Sequence, residues 1–405
     1  MAAPVAAAFD ADDDGPPLFS FAIVTDVQYA DIPDGASYGG TPRYYRHSLE
    51  ALRCAPELSG IPSPRSLQPR GAGRSCAAST RCHAKRHMQP HAPLLRSEAV
   101  ADWRPRELAC AMHLGDILDG FCPKARAPLS VARACEAEGS RAAPQEESEA
   151  ALRRVLDAFE ELPCRTHHCL GNHCLYNLPR ATLNARLSIP SGESGESFYT
   201  FSPHPGFRVV MLDSYDVSVL GWPEGHPHRE QAVALLAKHN PNANKNSPEG
   251  LEGLQRRFVA FGGGVSAAQL RWLRATLAVA SAAGERVFVC GHLPMHPEAC
   301  AAVCLLWNYE EVLDVLRDAR CVVATLAGHT HRDGHCVDAA GVHHRVLASV
   351  LECPPGTNAY GHIDVWPHAA RLRGVGHVGS THMPFRVLAP PPADALGEKL
   401  ADLAV

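Results

Sequence analysis

Cys321-Val322-Val323-Ala324-Thr325-Leu326-Ala327-Gly328-His329-Thr330-His331 is an apolar, β-branched run that stops at a glycine and delivers two histidines one residue apart. Runs of this kind form strands covered on both faces, so the stretch predicts a buried strand carrying two imidazoles at its C-terminal end. Gly328 permits exit angles closed to other residues. Histidines at i and i+2 point the same way only where the chain stays extended, which suits a pair of metal ions better than one tetrahedral ion. A strand end with two incidental histidines reads equally well from this stretch alone. The decision passes to the rest of the chain.

The same device recurs upstream. Leu18 to Thr25 reads as a buried strand running into Asp26-Val27-Gln28-Tyr29-Ala30-Asp31, where two oxygen donors again stand at i and i+2. Oxygen donors suit hard cations, although an Asx turn closing the strand is the plainer account. Glu107 to Leu114 predicts a second strand, ending in Gly115-Asp116-Ile117-Leu118-Asp119-Gly120. Glu146 to Leu162 predicts an amphipathic helix with Leu152, Val155, Leu156 and Phe159 on one face. Thr166 to Leu170 predicts a strand that closes with Gly171-Asn172-His173, and Arg286 to Cys290 another that closes with Gly291-His292. Strands are also expected at Ser197 to Ser202 and Phe207 to Leu212, and helices near Tyr44 to Leu49, from an N-cap at Ser266 to Gly284, and over Tyr309 to Ala319. Gly221 to Gly264 reads as long irregular loop.

Composition bounds the function. With 405 residues, 46% of them hydrophobic, and a net charge of -5, the chain has the make-up of a globular protein with no basic footprint for nucleic acid or an anionic membrane. Its 15 cysteines include no C-x-x-C pair, the N-terminus is Ala- and Asp-rich rather than signal-like, and no apolar run would cross a bilayer. The expectation is a cytoplasmic monomer with reduced thiols. One domain is expected over 18–387, between an N-terminal tail at 1–17 and a C-terminal tail at 388–405, with a low-complexity insertion at about 54–98. Cys76, Cys82, His83, His87 and His91 fall in that insertion without a zinc-ligand spacing.

Five strand ends thus carry Asp26 with Gln28, Gly115-Asp116, Gly171-Asn172-His173, Gly291-His292 and Gly328-His329-Thr330-His331. In this order they resemble the metal-binding blocks of the calcineurin-like metallophosphoesterase superfamily. The resemblance implies an α/β metallo-dependent phosphatase fold, in which two mixed β-sheets pack as a sandwich flanked by helices, in four αββα layers. It implies two divalent ions, one held by Asp26, Gln28 and His331 and the other by Asn172, His292 and His329, with Asp116 bridging them. His173 would protonate the leaving group and Asp119 would orient a ligand histidine. Three departures stand out. Gln28 occupies a position that is usually His, which favours manganese or magnesium over zinc. Cys174 stands where Glu is common, and Arg332 is inserted after His331.

Longer blocks narrow the resemblance. Asp26 to Asp31, Arg43 to Leu49, Leu114 to Phe121, Tyr215 to Gly221, His239 to Asn242 with Asn246 to Pro248, and Val303 to Tyr309 are similar to the manganese-dependent ADP-ribose/CDP-alcohol diphosphatases. That similarity implies a nucleoside diphosphate derivative as substrate, cleaved at its pyrophosphate bond by a hydroxide held between two metals. Tyr29, Tyr215, Trp307 and Tyr309 are candidates for stacking on a nucleobase, with Cys304 beside them. The rival readings are a phosphomonoesterase or phosphoprotein phosphatase on the same core, and a non-catalytic scaffold.

Overall fold

The computed structural model describes residues 15–37, 39–53, 99–120, 142–192 and 195–386. The expected insertion at 54–98, the C-terminal tail at 388–405 and most of the 1–17 tail lie outside those residues.

In chain order the strands are β1 (Phe19–Val24), the short pair β2 (Gly35–Ala36) and β3 (Pro42–Arg43), β4 (Leu108–His113) and β5 (Thr166–His168). They continue as β6 (Tyr199–His204), β7 (Phe207–Met211), β8 (Arg286–Cys290), β9 (Val322–Ala327) and β10 (Gly334–Val337). The last four are β11 (His343–Val346), β12 (Ala359–Val365), β13 (Ala369–Gly376) and β14 (Thr381–Pro384). Apart from β2 and β3, they make two six-stranded sheets, ordered β14-β13-β12-β1-β4-β5 and β10-β11-β9-β8-β7-β6. Strands β1, β4 and β5 are parallel in the first sheet, and β7, β8, β9 and β11 in the second, with antiparallel strands outside them. Both sheets are therefore mixed.

The sheets lie face to face. Phe21 of β1 meets Phe288 of β8 edge-on at 5.6 Å, Phe19 meets Phe207 at 5.1 Å, and the sulfurs of Met112 and Cys290 are 4.0 Å apart. Helices close the outer faces. Phe159 of helix Ala142–Glu160 packs on His113 at 5.8 Å, and Trp103 of helix Ala99–Trp103 packs on Tyr360 at 5.3 Å. Helix Ala267–Ala282 buries Leu273 and Leu277 against β8 and helix Tyr309–Asp318, and its expected cap is made by Ser266, whose hydroxyl accepts the Gln269 N–H at 3.1 Å. These are the four αββα layers. Strands covered on both faces need no alternation, which is why β9, buried at every position, reads as an unbroken apolar run.

Register brings the strand ends together. Val24 of β1 lies beside His113 of β4, and the ladder continues past both strands as the Asp26 N–H donates to the Gly115 carbonyl (3.1 Å) and the Gln28 N–H to the Asp116 carbonyl (2.9 Å). In the other sheet the Gly328 N–H donates to the His292 carbonyl at 3.0 Å. One expectation needs correcting. Gly221 to Gly264 is not irregular throughout, because helix Pro227–His239 lies within it; that helix buries only Ala232 and Leu236, too narrow a stripe to stand out as a period. Strands β10 and β14 left little trace in the sequence, since both are short and half exposed.

Candidate metal centre

The centre is built where chain leaves strand. Asp26 and Gln28 follow β1, Asp116 follows β4, Asn172 and His173 open a short helix (Asn172–Asn177) after β5, His292 follows β8, and His329 and His331 follow β9. The backbone here is not extended. Among the described residues six non-glycine positions have positive φ, and five are Asp26 (51°), Gln28 (43°), Asp116 (56°), His329 (68°) and His331 (59°). Each turn through the left-handed region costs a non-glycine residue about 1–2 kcal/mol, and such strain concentrates at functional sites. The side chains of each i, i+2 pair converge because both members turn this way, not because the chain stays extended. Gly328 likewise owes its identity to space rather than to φ, since a Cβ there would collide with Thr25 and Asp26.

Two groups of donors meet at Asp116. On one side Asp26 Oδ1 lies 3.3 Å from His331 Nε2, and the Gln28 amide nitrogen lies 3.2 Å from Asp26 Oδ1 and 2.7 Å from His331 Nε2. On the other side Asp116, His292 and His329 bring ligand atoms within 4.8 Å of one another, with His292 Nε2 3.2 Å from His329 Nδ1. Asp116 Oδ2 belongs to both, at 3.4 Å from the Gln28 amide and 3.3 Å from His292 Nε2.

The surrounding bonds choose which atoms face inward. Asp26 Oδ2 is occupied by the Thr25 hydroxyl (2.6 Å) and the His329 N–H (2.9 Å), and Asp116 Oδ1 by the His173 N–H (2.8 Å). His292 donates from Nδ1 to the Leu114 carbonyl at 2.7 Å, and His331 from Nδ1 to Glu352 at 2.8 Å, which leaves Nε2 of each ring with a lone pair for a cation. The donor set fits divalent ions. Gln28 Oε1 is buried without a hydrogen-bond partner, and a half-turn of its amide would direct that oxygen at the space shared by Asp26, Asp116 and His331. Asn172 is buried nearby, its Oδ1 accepting from the Tyr215 hydroxyl at 3.0 Å.

Charge in this pocket is strongly coupled. Burial alone would lower the His292 ring, but the Asp116 and Asp26 carboxylates outweigh it and push it up to about 9. The same contest, with Asp26 and Glu352 as partners, pushes His331 up to about 9, whereas burial and the neighbouring His292 hold His329 down at about 3. The two raised rings stabilise the metal-free fold fully below their ordinary value of 6.5, and that contribution drains away as pH rises through about 9. Metal must displace those protons. Manganese titrated calorimetrically into metal-free protein at pH 7 is expected to release about two protons per molecule, read from the dependence of heat on buffer ionisation enthalpy. Binding should weaken as pH falls, and heats identical in two unlike buffers would refute the assignment.

His173 Nδ1 accepts the Gly120 N–H at 2.8 Å, so the neutral ring carries its proton on Nε2. Asp119 lies 3.3 Å from that Nδ1 and 3.5 Å from Arg43. It therefore stands beside His173, not beside a ligand histidine as expected. The stacking expectation also needs correcting. Tyr215 is 0% exposed and Trp307 2% exposed, the latter inside a small core with Val217 and Phe258, while Tyr29 and Tyr309 are buried as well. Burial and the Asp26 carboxylate push the partly exposed Cys304 thiol up to about 12. Cys174 is a buried thiol raised to about 12 by burial and Asp116, and Arg332 is exposed. Sequence reasoning missed Glu352, which no motif marks, and Phe261, a half-buried aromatic whose ring lies 5.9 Å from that of His329.

No family model matches the chain. Curated relatives do. A manganese-dependent ADP-ribose/CDP-alcohol diphosphatase from Oryza sativa subsp. japonica is 42% identical over 370 residues, 91% of this chain and 95% of the relative. Proteins of the same description from Arabidopsis thaliana and Homo sapiens are 40% and 34% identical over 366 and 385 residues, covering 90% and 91% of this chain and 96% and 93% of the relatives. Among solved structures, a dimetal phosphatase from Danio rerio superposes with a TM-score of 0.73 at 32% identity, covering 91% of this chain and 100% of that one. Among the described residues no helix is long and apolar enough to cross a membrane.

Proposed function

The chain belongs to the manganese-dependent ADP-ribose/CDP-alcohol diphosphatases, and from that premise we infer that it hydrolyses the pyrophosphate bond of nucleoside diphosphate derivatives. ADP-ribose would yield AMP and ribose 5-phosphate, and a CDP-alcohol such as CDP-choline would yield CMP and a phosphoalcohol. The enzyme uses two divalent metal ions, manganese by family. The carrying observation is Asp116 Oδ2, which lies within 3.4 Å of the Gln28 amide on one side and within 3.3 Å of His292 Nε2 on the other.

In this reading Asp26, Gln28 and His331 hold one ion, Asn172, His292 and His329 hold the other, and Asp116 is common to both. Bound there, the ions would supply an activated water and neutralise charge on the phosphates. The protein supplies the rest. Thr25 and Glu352 fix a carboxylate and an imidazole in their ligating orientations. Tyr215 fixes Asn172 in the same way. His173, when its ring is doubly protonated, gives the Nε2 proton to the departing phosphate and returns to the neutral imidazole, and Asp119 beside Nδ1 compensates the ring's charge until that proton leaves. Phe261, half-buried with its ring 5.9 Å from that of His329, and Tyr176, half-buried with its ring 5.3 Å from that of His173, are the aromatics that could meet a nucleobase. A soluble, nucleotide-directed enzyme of the cytoplasm, acting as a monomer, is the setting this reading favours.

The test is a product assay. With manganese present, ADP-ribose and CDP-choline are expected to give nucleoside monophosphate and no inorganic phosphate. Zinc should support much less turnover, because the Gln28 amide oxygen is a harder ligand than the imidazole usual at that position. Free phosphate from simple monoesters, at rates above those of pyrophosphate cleavage, would favour the phosphomonoesterase reading instead.

A further inference from the structure

The loop that delivers His292 continues into a second cluster of ligand-type side chains. His296 turns back into the protein, 8% exposed, and its ring stacks on that of His344 at 4.6 Å. Its Nδ1 lies 3.2 Å from Sγ of Cys336 on β10. The Glu298 carboxylate completes the group, and the three ligand atoms all lie within 4.8 Å of one another. None of the three belongs to the centre described above.

We propose that His296, Glu298 and Cys336 form a second cation site, for a borderline-soft divalent ion of the zinc class. The donors differ in kind from those of the first centre. One imidazole, one thiolate and one carboxylate make a three-ligand set that zinc completes with water, whereas the first centre has no thiolate and is rich in hard oxygen. The seat is also firm. Gly334 opens β10 with its backbone pressed on the 291–300 loop, where a Cβ would collide with the Ala299 carbonyl oxygen. Cys336 packs against the small core of Ala299, Ala327 and Val346. In the ion-free chain His296 Nδ1 is shared between the Cys336 thiol and the Glu298 N–H at 3.3 Å, and coordination replaces both contacts. Burial, with the Glu298 and Asp338 carboxylates, holds the thiol up at about 11. Its proton therefore leaves to solvent only as the cation takes its place. An ion there would tie the loop bearing His292 to the segment that follows His329 and His331, bracing three ligands of the first centre from behind.

Cobalt(II) separates the two centres, because only a thiolate ligand gives sulfur-to-cobalt charge transfer in the near ultraviolet. Full-length protein stripped of metal and titrated with cobalt is expected to develop that band and to lose it when zinc is added. Cys336→Ser should abolish the band, and Asp116→Asn should keep it. Glu298 is exposed, so Glu298→Gln leaves the fold intact while weakening the cobalt affinity read from the band about tenfold or more. No band in the wild-type protein, a band that survives Cys336→Ser, one lost in Asp116→Asn, or an unchanged affinity in Glu298→Gln would each overturn the site.

Discussion

A His173→Ala variant is expected to keep its full manganese complement while its turnover falls about 10²–10⁴-fold, the ordinary contribution of a positioned proton donor. The two effects separate because His173 is tied into the centre by its backbone. Its N–H donates to Asp116 Oδ1 at 2.8 Å, a bond that alanine preserves. What alanine removes is a ring whose Nδ1 is held by the Gly120 N–H at 2.8 Å and flanked by Asp119 at 3.3 Å, an arrangement that leaves the proton on Nε2. The loss should shrink for substrates whose leaving group is already a weak base, since these need no proton to depart. Metal analysis with steady-state rates checks the prediction. A variant that loses metal, or turns over like the wild type, would remove the role assigned to His173.

Asp116→Asn should be more damaging still. Asp116 Oδ2 faces both donor groups, and an amide cannot offer one anionic oxygen to two cations. Manganese affinity is expected to fall by more than about 100-fold, and activity to fall below that of His173→Ala at any practical metal concentration. The same substitution removes the carboxylate that most strongly holds the His292 proton. Proton release on metal addition should therefore drop from about two toward one. Retention of two tightly bound ions would mean that the two donor groups are not joined through this residue.

The strands that bear the centre were legible because they are covered on both faces. A run such as Cys321 to Ala327 has no reading at the surface, and a glycine followed by polar ligands marks where cover ends and chemistry begins. The supporting residues were not legible in the same way. Glu352 sits in a loop after β11, far along the chain from the His331 it orients, and nothing local in its sequence distinguishes it from a solvated acid. Phe261 is hidden for a related reason, standing alone in a stretch that read as loop. Tyr215 was noticed for the wrong property. Its hydroxyl holds Asn172 while its ring is wholly buried, 6.0 Å from that of His292, and burial that excludes stacking on a substrate cannot be read from a lone tyrosine. Backbone handedness was equally invisible, since Asp26, Gln28, Asp116, His329 and His331 are side chains one would not place at positive φ.

That handedness sets chemistry against robustness. At each of those five positions glycine would adopt the observed backbone without steric penalty, yet glycine chelates nothing. Selection for heat resistance alone would thus pull the sequence toward an inert shell of the same shape, and the enzyme persists only where catalysis is itself under selection.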